Sequence, residues 1–307
     1  MNFRNTLFII ITLLFIFLMI SMKHGSAAES PREKPTIAAS TFSLYEITKH
    51  IVADTANTLM ILPLGVDAHS YEPSPKQVAK LYKSNLLVYS GAGLEPWIKN
   101  FEFKNRAIDM SLHVKLKELG EDAHKHNHQS QSILDPHYWL DFLNMIRATE
   151  YITKELIDLF PLHKELYTKN RDSYIEMLKN LDREYKEKLS SCKLDTIVVN
   201  HNAFSYLSSR YGFHVEAMSG LSAEAEPSAK RMASLIEYIK KYKLSTIFFE
   251  SFASDKIIKS IAHEAKVTVD TLQPLGNITA DEAKSNLSYE DIMRTNLDKI
   301  SRALECR

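Results

Sequence analysis

Residues 145 to 192 contain no glycine and a single proline, Pro161, and this stretch constrains the fold more than any other part of the 307-residue chain. Its apolar positions Tyr174, Met177, Leu178, Leu181, Tyr185 and Leu189 recur at intervals of three and four, the period of a helix with one buried face. Proline lacks an amide hydrogen and clashes with the preceding turn, so Pro161 should divide the segment into a shorter helix and a long one starting near His163. On both sides, short β-rich runs alternate with amphipathic helical stretches. Upstream the strand candidates are "TIAAS", "NTLMILPLG" and "NLLVYSGAG"; downstream they are "DTIVVNH", "FHVEAMS", "STIFFES" and "VTVDTLQP". Strands alternating with helices imply βαβ units and parallel sheets. The expected fold is α/β with two lobes, each a parallel-type sheet flanked by helices, joined by one long rigid helix. The lobes are bounded at 29–145 and 193–307, with the linking helix segment at 146–192. A stiff helical joint should allow less relative motion than a Gly/Ser linker.

The amino terminus bears on where such a chain works. After Arg4 comes an uncharged, mostly apolar run from Thr6 to Met22, then small residues at Ser26, Ala27 and Ala28. That is the pattern of a signal peptide, residues 1–28, cleaved after Ala27 or Ala28. A run of this length can also span a bilayer uncleaved, but the small residues directly after it favour cleavage. No cysteine lies near the cleavage point to carry a lipid, so a soluble periplasmic or secreted protein is expected. Removal of Arg4 and Lys23 leaves 38 − 2 = 36 basic residues against 38 acidic ones, which gives no argument for nucleic acid or an anionic membrane as partner. Cys192 and Cys306 are the only cysteines, and the sequence leaves a bridge and two free thiols equally open.

Three of the twelve histidines fall at or near strand ends. His69 follows "NTLMILPLG", His137 sits in "DPHYWLD", and His201 ends "TIVVNH". In open parallel sheets, ligands bind beyond the carboxyl ends of the strands. Converged across a cleft, the three would offer imidazoles to one late first-row divalent ion, with four-coordinate zinc the best fit. Affinity should then fall as pH drops below about 6.5, where free imidazole takes a proton. A lone histidine is more often a surface or core residue, and His24, His50, His113, His163, His214 and His263 are read that way. A second set, His124, His126 and His128, lies at alternate positions of a polar run at 122–130.

"LPLGVDAHSYEPSP", "DPHYWLD", "NHNAFSYL" and "LSAEAEPSAKRMASLIEYIKKYKLSTIFFE" follow one another in the chain. In that order they resemble the signature segments of the metal-specific solute-binding proteins of ABC importers, and most of all the ZnuA-like periplasmic zinc-uptake branch. The resemblance runs from "PTIAAS" to the final helix. It implies two α/β lobes on a long helix with the metal held between them, and His69, His137 and His201 as ligands. The cargo would be Zn²⁺, transported rather than used in catalysis, and the partner an ABC-type permease, with the carrier itself a monomer. The run with His124, His126 and His128 is similar to the metal-collecting loop of zinc-uptake relatives, in a short form. Departures are Ala68 and Phe142 where prolines are common, and Gly276 and Asn277 where many relatives place a fourth, acidic ligand. A water, Asp67 or Glu72 is left to fill that place. Three imidazoles without a certain carboxylate favour zinc over manganese.

Other residues receive plainer readings. Glu224 and Glu226 suit a helix cap, Glu250 lobe packing, and Asp135 or Asp141 the orientation of His137. Tyr71, Tyr138, Trp139, Phe204 and Tyr206 suit either a shield for the cleft or core. The competing functions are a manganese or iron carrier, a secreted zinc hydrolase, against which no "HExxH" segment is found, and a surface adhesin.

Overall fold

The computed structural model describes residues 33–118, 134–220, 227–250 and 256–307. The first sheet is built from β1 (Thr36–Ala39), β2 (Asn57–Met60), β3 (Leu86–Tyr89) and β4 (Arg106–Asp109), all parallel in the order β2-β1-β3-β4. Its crossover helices are α1 (Phe42–Val52) and α2 (Pro75–Lys83). Local sequence sets the start of α2 firmly: Ser74 and Gln77 form a reciprocal capping box and Pro75 occupies the first turn. A short antiparallel pair, β5 (Lys117–Glu118) and β6 (Leu134–Asp135), follows.

The helical segment divides where proline requires. α3 (Phe142–Leu159) ends before a 3₁₀ turn at Pro161–His163, and α4 (Lys164–Lys188) then runs for 25 residues. α3 begins four residues earlier than the expected 146 because Asp141 caps it, accepting from the Leu143 amide at 2.9 Å.

The second sheet contains β7 (Thr196–Val199), β8 (His214–Ala217), β9 (Thr246–Phe249) and β10 (Thr268–Thr271) in the order β10-β9-β7-β8, again all parallel. Numbered from its own first strand, each sheet has the order 2-1-3-4. The accompanying helices are α5 (Ser205–Tyr211), α6 (Ala229–Tyr242), α7 (Lys256–Ala265), α8 (Ala280–Lys284) and α9 (Tyr289–Ala303). The molecule is thus two α/β lobes of parallel sheets flanked by helices, joined through the long helix α4. Among the described residues no helix is long and apolar enough to cross a membrane.

Packing does not follow chain order at the end of the protein. One core joins Ile37, Leu44, Trp139 and Leu178 with Leu275, Tyr289 and Leu304, while Val198, Leu235, Ile247 and Ile261 form a separate core in the second lobe. The 274–278 loop is sewn to the first lobe by its polar groups. Gly276 O accepts from the Phe42 amide at 2.9 Å, Leu275 O from Ser43 Oγ at 2.8 Å, and Ile278 O from the Gly65 amide at 2.9 Å. Asn277 Nδ2 donates to Pro63 O and Val66 O at 2.7 and 2.8 Å, and the indole N–H of Trp139 to Pro274 O at 2.6 Å. Cys192 and Cys306, left open above, are joined by a disulfide across 114 residues of sequence.

Candidate metal centre

The three strand-end histidines come together between the lobes. His69 lies in the loop after β2, His137 directly after β6, and His201 beyond the end of β7. Their Nε2 atoms converge, with His69 to His137 at 3.3 Å and His201 to His137 at 3.4 Å. A tetrahedral ion with Zn–N bonds of about 2.0 to 2.1 Å has ligand atoms about 3.3 to 3.4 Å apart. The two pairs that include His137 already hold that spacing. Among the described residues the three imidazoles are the one such group whose donor atoms all lie within 4.8 Å of each other. They border a void of about 20 Å³, room for one water-sized body, which Trp139, Leu94 and Gly276 also line.

Local bonds aim each ring. Asp67 Oδ1 accepts from the His69 backbone amide at 3.0 Å and so fixes the turn before the imidazole. Asp135 Oδ1 accepts twice from His137, from its amide at 2.9 Å and from its ring Nδ1 at 2.8 Å. The other oxygen of Asp135 takes the Ser205 hydroxyl, and its carbonyl takes the Tyr206 hydroxyl at 2.8 Å, which ties the start of α5 to this strand end. His201 Nδ1 lies against Glu250 Oε1, and both residues are almost fully buried. In His137, with Nδ1 committed to a carboxylate, Nε2 is left as the lone-pair nitrogen that a metal needs.

Burial and mutual repulsion keep the rings of His69 and His201 neutral. Burial, then the neighbouring His137, pushes the His69 pKa down to about 4. Burial, then His137 and His69, pushes that of His201 well below the usual imidazole value. Burial opposes ionisation of Asp135, but hydrogen bonds from His137 and Ser205 outweigh it and hold its carboxyl below the ordinary range. The sequence-based threshold near pH 6.5 is therefore too high for His69 and His201: a desolvated imidazole resists protonation.

Several readings change. Glu250, assigned to lobe packing, faces His201 at the site; its role depends on β7 and β9 being neighbours, which no local pattern announces. Asp141 caps α3 and pairs with Arg210 at 3.7 Å, away from the imidazoles. Tyr71, Tyr138, Trp139, Phe204 and Tyr206 are all buried, and of these Trp139 lines the void. Among the described residues no acid joins the cluster of the three imidazoles, though Asp67 is one of the residues lining the void. Gly276 stands there without a side chain; a Cβ on it would meet Trp139 Cζ2 at 3.4 Å, ordinary contact. His124, His126, His128, Glu224 and Glu226 lie outside the described residues.

Comparison with known proteins identifies the family. Residues 37–303 match the family of the periplasmic component A of the zinc-uptake complex, ZnuA. The chain belongs to that family. It is 36% identical over 281 residues to the zinc-binding lipoprotein AdcA of Streptococcus pneumoniae, covering 89% of this chain but only 56% of that relative. It is 30% identical to the high-affinity zinc uptake system protein ZnuA of Bacillus subtilis, over 91% of this chain and 90% of the relative. The crystal structure of the Zn(II)-bound ZnuA-like domain of S. pneumoniae AdcA superposes with a TM-score of 0.73 at 34% identity, over 89% of this chain and 99% of that domain.

Proposed function

We propose that this protein is a non-catalytic carrier that captures Zn²⁺ outside the cytoplasmic membrane and delivers it to an ABC permease. The cargo is held by Nε2 of His69, His137 and His201. The observation that carries this reading is the 3.3 and 3.4 Å spacing of those nitrogens, the edge of a zinc tetrahedron. An all-imidazole set suits zinc better than manganese, which prefers oxygen-rich sites. A hydrolase would keep a carboxylate beside the metal-bound water as general base. Here Asp135 and Glu250 are both engaged on ring nitrogens, which favours carriage over catalysis.

In this reading residues 1–28 are a cleaved signal peptide that exports a monomer without a lipid anchor. Residues 29–145 and 193–307 are the lobes about the 146–192 segment. The 122–130 loop, with His124, His126 and His128, collects ions and raises their local concentration. The test is calorimetric titration of the metal-stripped mature protein with Zn²⁺ and Mn²⁺, beside a His69→Ala, His137→Ala, His201→Ala variant. One tight zinc site, lost in the variant while weaker loop binding persists, is expected. Equal or tighter Mn²⁺ binding, or tight zinc retained by the variant, would sink the assignment. Deletion of residues 122–130 should lower the total zinc bound and leave the tight site.

A further inference from the structure

Glu250 is a buried carboxylate for which packing offers no account. It is 2% exposed, and its backbone amide already ties the β9 end to β7 by donating to Asn200 Oδ1 at 3.2 Å. The side chain adds nothing to that join. Its partner is the Nδ1 of His201, itself 3% exposed. The two facing atoms, His201 Nδ1 and Glu250 Oε1, are buried and neither has a hydrogen-bond partner among the described residues, an arrangement that costs the metal-free fold stability. Asp135 faces His137 at 0% exposure, but accepts from its ring and also takes a serine hydroxyl and a backbone amide. Three neutral imidazoles bring no charge to a dication, whereas the two carboxylates behind two of them bring two negative charges.

We propose that Glu250 is a positioning and charge-balancing residue of the zinc site, acting through His201 rather than touching the ion, and that it does so at the expense of the metal-free fold. It fixes the Nδ1–H tautomer, leaves Nε2 bare, and with Asp135 neutralises at one remove the ion that no described acid contacts directly. The idea rests on the three-imidazole site proposed above. It makes Glu250 a strained element when the site holds no metal and a satisfied one when it does.

That sign distinguishes it from a structural residue. Glu250→Gln keeps the shape and an acceptor for Nδ1–H but removes the charge, while Glu250→Ala removes both. Zinc affinity, measured by competition against a chelator, should fall by about 10- to 100-fold in the glutamine variant, the usual effect of losing an outer partner of a metal ligand. Its melting temperature without metal should be equal to or above that of the wild type, and the zinc-induced rise smaller. Long-range ¹H–¹⁵N spectra of the metal-free protein should show His201 in the Nδ1–H tautomer in the wild type and Glu250→Gln, and mixed tautomers in Glu250→Ala. Wild-type affinity in Glu250→Gln while His201→Ala loses tight binding would overturn the role of Glu250 alone. A metal-free melting temperature lowered in Glu250→Gln would make the residue structural. Tight zinc retained by His201→Ala would instead overturn the three-imidazole reading itself.

Discussion

The two lobes repeat one topology, and at the same place in each a buried glutamate is used differently. In the 2-1-3-4 order, the crevice between the first and third strands is where the chain turns outward in both directions, the place where α/β sheets bind ligands. In the first lobe Glu95 fills that crevice. Its Oε1 accepts from Ser40 Oγ at 2.5 Å and the Ser90 amide at 2.8 Å, and its Oε2 accepts from the Gly91 amide at 3.0 Å. Ser40 follows β1 and Ser90 follows β3, so this carboxylate laces the two strand ends together. In the second lobe the corresponding ends carry His201 and Glu250, and there the carboxylate turns to an imidazole. Of two equivalent crevices, the fold has closed one with a serine hydroxyl and two backbone amides, while the other presents an imidazole beside a carboxylate. The comparison shows that a buried acid at a strand end is not a site by itself; what its oxygens accept from decides.

The largest expected contrast is in pH. Burial pushes Glu95 up to about 7, against the pull of its hydrogen bonds from Ser40, Ser90 and Gly91. With a folded pKa above the unfolded one near 4.5, its stabilisation is full below pH 4.5 and lost as pH rises through 7. His69, depressed to about 4, has the opposite sign: its stabilisation is full above pH 6.5 and lost as pH falls toward 4. Each shift corresponds to on the order of 3 kcal/mol, and in the metal-stripped wild type the two slopes oppose each other between pH 4.5 and 6.5. Urea denaturation of wild type, Glu95→Gln and His69→Asn across pH 4 to 8 should separate them, the first variant losing stability less steeply toward high pH and the second less steeply toward low pH. Parallel curves for all three would remove the electrostatic distinction between the crevices.

Next in size is the exchange of roles. Glu95→Gln places an amide donor opposite either the Gly91 amide or the Ser40 and Ser90 donors, leaving buried donors facing each other. It should cost on the order of 1 to 3 kcal/mol of stability at neutral pH and leave zinc affinity within about twofold, since no Glu95 oxygen reaches an imidazole. That is the mirror of Glu250→Gln. A large affinity loss on changing Glu95, read by the same chelator competition, would mean that the two crevices are coupled.

Much of this was legible in the sequence, for reasons that also mark where legibility stops. Pro161 and the three-and-four spacing of Tyr174 to Leu189 are local signals, and they placed the break and the long helix α4. His137 and Asp135 are two residues apart, so Asp135 stood with Asp141 as a candidate to orient the ring, and the bond is to Asp135. β4 was missed because "RAID" is a short edge strand with charged ends and little apolar pattern. Glu250 with His201, Trp139 with Pro274, and Cys192 with Cys306 depend on strand order and chain return over 49, 135 and 114 residues, which no window contains.

The smallest expected effect comes from Gly276, and it tests whether charge at one remove replaces a direct ligand. The position faces the void, and a side chain there starts in ordinary contact with Trp139. Gly276→Glu can therefore bring an oxygen toward the three Nε2 atoms without rebuilding the 274–278 loop, whose backbone bonds to Phe42 and Gly65 it leaves in place. In the wild-type background the added carboxylate makes a third negative charge beside one dication, so zinc affinity should change by less than about tenfold. In the Glu250→Gln background it restores the balance of two charges, and the gain should be larger. A double-mutant cycle reads this as coupling between residues 250 and 276. Equal gains in the two backgrounds would show that Glu250 acts by orienting His201 alone, and Mn²⁺ affinity rising more than Zn²⁺ affinity in Gly276→Glu would show that the absent oxygen donor is what keeps the site selective for zinc.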